Sequence, residues 1–159
     1  MTHYRHTQIG WLIIVFMAAG VAIFAAILAR SGTSIVALGG LIVTAALLVV
    51  FSTLTIEVTD EDLRFHFTFG LFGREIPLAA IAKCLEVESS VLYGWGIRVT
   101  PVGKLYSVSG TKAVELRLRG GDRIRVGSDE PGRVCSVVEP LLAKYASYPT
   151  VPGALDLLR

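Results

Sequence analysis

No acidic residue occurs in the first 56 positions; all 13 Asp and Glu of this 159-residue chain lie at Glu57 or beyond. Charge is scarce throughout, at 18% of residues against 53% hydrophobic, where a soluble domain carries about a quarter charged residues. That composition excludes a disordered chain and argues against an ordinary cytosolic protein. Cysteine is nearly absent. Cys84 and Cys135 are far apart and match no CxxC or Cys/His ligand spacing, so they read as two buried small hydrophobes rather than a disulfide framework. His3 and His6 sit on what reads as a mobile terminus, too few ligands for a metal site. A basic excess is missing too. Beyond Arg5 and Arg30 the remaining Lys and Arg equal the Asp and Glu in number, so the net +2 belongs to the N-terminal third and gives no footprint for nucleic acid.

Long apolar runs are what the chain does have. Residues 9–29 carry no charge, and a helix of that length rises about 31 Å, enough for a hydrocarbon core of about 30 Å. Residues 35–51 form a second uncharged run that 52–54 can extend. The short Arg30-Ser31-Gly32-Thr33-Ser34 link predicts an antiparallel helical hairpin. A cleaved signal peptide is the alternative for the first run, but the run exceeds a usual h-region and a second follows at once. Small residues at Ala18, Ala22 and Ala26, and at Gly40 and Thr44, predict close packing within the hairpin, with dimerisation through the same face as the alternative. Neither run contains an ionisable residue, which argues against an ion path. Arg5, Arg64 and Arg74 flank the hairpin on one side and Arg30 alone marks the other, so both termini are expected in the cytoplasm of a multi-pass inner-membrane protein.

After Phe51 the pattern changes to period two. Leu54, Ile56 and Val58 alternate with polar residues, as do Leu63, Phe65, Phe67 and Phe69. Further short strands are expected at 74–77, 81–87, 97–100, 104–108, 113–119 and 123–126. One helix follows, capped by Ser128 or Asp129. Val134, Val137, Val138, Leu141, Leu142 and Tyr145 share one face, and Pro140 predicts a kink or an early end. The expected fold is a membrane helical hairpin plus an α+β soluble domain. The hairpin takes residues 1–54, with spans at 9–29 and 35–54. The domain takes 55–148, and 149–159 form an irregular tail.

A resemblance then enters. Tyr93-Gly94-Trp95-Gly96-Ile97-Arg98, Gly103-Lys104-Leu105-Tyr106-Ser107-Val108-Ser109-Gly110, Val114-Glu115-Leu116 and Val126-Gly127-Ser128-Asp129-Glu130-Pro131 resemble the bacterial PH-like membrane proteins over about residues 51–142. The resemblance implies a small antiparallel barrel or sandwich of about seven strands with a C-terminal capping helix. It brings no catalytic residues, and fold alone assigns no activity.

Two candidate surfaces stand out. Alternation sends Leu116, Leu118, Ile124 and Val126 inward and Arg117, Arg119, Arg123 and Arg125 outward on neighbouring strands. Like charges placed so want anionic partners: lipid phosphates, an acidic protein, or the chain's own Glu115 and Asp122. Trp95 lies between two glycines and suits a core edge or a membrane interface, with Arg98 able to share that surface. Gly94 and Gly96 make no dinucleotide loop, and Ser107 and Ser109 have no nucleophile-elbow pattern. No paired acid and base or metal-ligand set is legible. The expectation is therefore a non-enzymatic binding or scaffold module without cofactor. It would engage membrane lipids and a protein partner or a second copy, not nucleic acid. The alternative is an accessory subunit of a membrane enzyme or transport complex.

Overall fold

The computed structural model describes residues 1–32, 34–88, 96–100 and 103–146. It is an α+β chain in which two helices are followed by two sheets and a closing helix. The first element is a strand, β1 (Thr2–Ile9). Helices α1 (Trp11–Ser31) and α2 (Ile35–Val50) come next, then β2 (Thr53–Thr59), β3 (Asp62–Phe67) and β4 (Arg74–Pro77). The second sheet is built from β5 (Ile81–Glu88), β6 (Gly96–Thr100), β7 (Gly103–Ser107), β8 (Lys112–Leu118) and β9 (Arg123–Gly127). Helix α3 (Pro131–Ala146) follows.

The helical hairpin is inserted between two neighbouring strands. β1 pairs antiparallel with β2, from Thr2 opposite Thr59 to Ile9 opposite Thr53. The Gly10 N–H donates to the Ser52 carbonyl at 2.8 Å, so both feet of the hairpin meet at one point. Residues 2–9 are therefore not a mobile terminus. His3 bonds Asp60 and His6 bonds Asp129, two separate carboxylates, and Tyr4 and Gln8 are buried. The N-terminal amine and His3 together hold the Asp60 carboxyl down at about 2.

α1 is apolar and long enough over Trp11–Arg30 to cross a membrane, and none of that stretch is buried. The expected second span, 35–54, is shorter than its composition suggested. α2 ends at Val50, after 16 residues, because the following β-branched residues join the sheet. The Thr68 hydroxyl, which bonds Ser52 and Thr53, fixes that switch. Gly40 does pack inside the hairpin, where a methyl would overlap the Phe24 ring, and Gly20 faces Thr44. Ala18, Ala22 and Ala26 do not: all three are exposed, on the side of α1 turned away from α2.

The first sheet is the meander β1-β2-β3-β4, and the second has the order β5-β8-β9-β7-β6, with β7 and β9 parallel. Inward residues of both sheets build one core, including Leu54, Phe65, Ile76, Leu116 and Ile124. The Phe65 and Tyr106 rings lie 4.7 Å apart across it. α3 closes the core against β5 and β8 through Val134, Val138, Leu141 and Leu142. It runs through Pro140 to Ala146 instead of ending there, because Pro140 is on the solvent face, where water replaces the lost N–H partner.

The two cysteines are buried, but they are not separate hydrophobes. Cys84 on β5 and Cys135 on α3 form a disulfide, with their Cα atoms 5.5 Å apart. Phe69 is a second departure. It does not continue the inward alternation of β3 but stands 82% exposed at φ 59° in the turn that follows. Phe72, at φ 49°, is also exposed.

Candidate functional site

The four arginines of the β8–β9 hairpin do not form one field. Leu116, Leu118, Ile124 and Val126 point into the core as alternation requires. Glu115 shares the opposite face with Arg117, stands across from Arg125, and is only 1% exposed. Arg117 donates from Nε to its carboxylate at 2.9 Å; Arg125 donates from Nε and Nη2 at 2.9 and 2.7 Å. Burial pushes the Glu115 pKa up, but the hydrogen bonds and charges of the two guanidinium groups outweigh it and hold the carboxyl below its ordinary value. Half of the arginine cluster thus has an internal counter-ion. Arg119 is exposed at the turn.

Replacing Glu115 by Gln should cost about 3 kcal/mol in urea unfolding, since it strands the half-buried Arg125 without a counter-ion. The pH dependence has a definite sign. A carboxylate held below its unfolded-state value stabilises the fold above about pH 4 and loses that contribution as pH falls further. The acid limb of stability should flatten in the variant; an unchanged limb would show that Glu115 is not the group titrating there.

Arg123 belongs elsewhere. With Arg74 at the start of β4 and Lys104 on β7 it lines a cavity of about 270 Å³. Arg98 lies in a third place. It lines an almost wholly apolar groove of about 600 Å³ between β6 and the base of the hairpin, beside Ile13, Phe16, Met17, Leu47 and Phe51. Trp95, the other residue singled out with Arg98, lies outside the described residues.

The turn between β3 and β4 breaks the period-two pattern of the sequence. Phe69, Leu71 and Phe72 are all exposed there. Phe72 stacks on Phe51, just past the end of α2, with ring centroids 6.1 Å apart. Two phenylalanines at positive φ are true conformational outliers, and such strain marks segments that the surrounding structure over-determines. The available signal was Phe69-Gly70 followed by Phe72-Gly73, a repeated aromatic–glycine pair that a continued strand would not need. Arg98 and the turn lie beside the hairpin base, whereas Arg117 and Arg125 are drawn to Glu115. No family model, no curated protein and no solved structure matches this chain.

Proposed function

We propose that this chain is a membrane-anchored, non-enzymatic binding module that presents a PH-like domain at the cytoplasmic surface of the cell membrane. The observation that carries the reading is the insertion of the hairpin between β1 and β2, with Gly10 and Ser52 directly bonded. No flexible tether separates helix from sheet, so a hairpin in the bilayer holds the domain against the headgroups. The exposed Phe69, Leu71 and Phe72 beside the hairpin base suit that interface. The same insertion argues against a cleaved signal, because cleavage after α1 would strip β1 from the sheet. At about 24 Å, α2 is short for a span, and local thinning of the bilayer accommodates such a mismatch at modest cost.

The strand order supports the PH-like resemblance. A four-stranded meander is followed by β5, β8 and β9 in antiparallel order and a closing α3, with β6–β7 as an added hairpin on β9. The basic residues flanking the hairpin favour the cytoplasmic side. The Cys84–Cys135 disulfide favours a second orientation, with the domain outside, since such bonds persist in oxidising compartments.

Alkaline carbonate should leave the chain in the membrane fraction, and release would overturn the anchored reading. Protease added outside intact cells should spare the domain. Cleavage there would place it on the outer face and assign the disulfide its compartment.

A further inference from the structure

α1 has 21 residues and α2 only 16, yet the two helices share one foot, where Gly10 bonds Ser52. Their packing shows where α2 falls short. Gly40 lies against Phe24 and Gly20 against Thr44, so Val50 comes level with Ile14. Residues 11–13 of α1 run on past the end of α2, by about 4–5 Å at 1.5 Å per residue. Phe51 and the β3–β4 turn stand in the place that a further turn of α2 would fill. β2 leaves the hairpin and β3 returns to it; Leu54 pairs with Phe67, so the chain beyond Phe67 arrives at the hairpin foot. There the Thr68 hydroxyl bonds the Ser52 and Thr53 hydroxyls, both at 3.0 Å, and Phe72 stacks on Phe51. Residues 67–73 carry no ionisable group. Phe69, Leu71 and Phe72 are nonetheless exposed, and the two phenylalanines hold positive φ, a region unfavourable for bulky side chains. A turn that merely reversed the chain would place glycine or a short polar residue there. Strain that puts aromatic rings outside the core points to a role outside the core.

We propose that residues 68–73 form a second membrane contact, in which Phe69, Leu71 and Phe72 enter the bilayer beside Phe51 and complete the apolar length that α2 lacks. The patch is continuous with the end of α2, and that continuity selects lipid as its occupant. α2 rises about 24 Å against a hydrocarbon core of about 30 Å. The turn lessens the thinning that a span of this length imposes. Its open backbone groups keep it at the boundary of the core rather than deeper, because lipid chains satisfy no N–H or carbonyl. The assignment rests on the membrane-anchored reading. It goes beyond that reading by naming the edge of the domain that is submerged and the depth at which it sits.

The test uses the full chain in phosphatidylcholine vesicles, with Trp11→Phe and Trp95→Phe removing both native indoles. One tryptophan is then introduced at a time. Phe69→Trp and Leu71→Trp probe the turn, and Ile42→Trp probes the middle of α2. Glu61→Trp probes the β2–β3 turn, at the opposite end of the same strands. Lipid brominated near the carbonyl end of its chains should quench the probes at 69 and 71 at least about threefold more than the probe at 61. Lipid brominated near the methyl end should quench the probe at 42 more than either. In a shorter-chain phosphatidylcholine, whose core α2 spans alone, quenching at 69 and 71 should fall while that at 42 persists. If the probe at 42 is quenched and those at 69 and 71 respond no more than the one at 61, water or a second copy surrounds the turn. The proposal is then overturned and the anchored reading stands. Absence of quenching at 42 would overturn both. Quenching at 69 and 71 that ignores bilayer thickness would overturn the completion of α2.

Discussion

Deleting residues 2–9 should leave a chain that no longer folds cooperatively, although the deletion touches none of the strands that sequence periodicity reveals. β1 is bonded to β2 from Thr2–Thr59 to Ile9–Thr53. It contributes Tyr4 to the core and sets Gln8 against the Ser109 carbonyl. Burying one such aromatic stabilises by about 1.5–3 kcal/mol. The lost ladder adds to this and bares β2 as a hydrophobic edge, a template for aggregation. A small domain holds only about 5–15 kcal/mol in total. The converse construction separates this from a mere need for membrane. Replacing residues 11–51 by Asn-Gly should give a soluble, folded domain, because Gly10 and Ser52 already stand as the closing pair of a two-residue hairpin. Far-UV circular dichroism and a single urea transition would register both results. A folded deletion variant would sink the role given to β1.

β2 to β9 are legible in the sequence and β1 is not, and the difference lies in the residues. In β2, β3 and β8 alternation is clear because one face meets the core through Leu, Ile, Val and Phe. The inward face of β1 is Tyr4, His6 and Gln8; two of these meet Asp129 and the Ser109 carbonyl, so the polar-in pattern reads as a tail. Its partner strand also lies beyond the whole hairpin, a separation that no local window spans. Phe69 departs from its sequence pattern for a different reason. Period two continues in the sequence through Thr68, but there the chain leaves the sheet and the Thr68 hydroxyl oxygen accepts from the Thr53 N–H at the hairpin foot. The arginine hairpin was legible in its facing and not in its charge. Alternation puts Glu115 beside Arg117, but only the register of β8 on β9 brings Arg125 to the same carboxylate. Arg74 and Lys104 come to Arg123 through packing between sheets, which sequence spacing does not carry.

Substituting both Cys84 and Cys135 by Ala should lower domain stability by up to about 4 kcal/mol, the loop-closure entropy of a crosslink spanning 51 residues. The crosslink ties β5 to α3, the helix that covers the core through Val134 and Val138. Without it the denatured chain gains freedom that the folded chain never had. The melting temperature should fall on the order of 15 °C, and the denaturant midpoint should move with little change in slope. Packing losses alone predict much less, since each side chain gives up only a sulfur atom. Reduction of the wild-type domain distinguishes the two, because it breaks the crosslink and keeps both side chains. Cys84 is buried, so the reductant should act only as the domain opens, and the reduced protein should then melt close to the double variant. If reduction left the melting curve where it was, and alkylation of unfolded protein without reductant labelled both thiols, the pair would be two packed thiols with no crosslink. Labelling only after reduction would place the domain where such bonds form, and so decide between the inner and the outer face of the membrane.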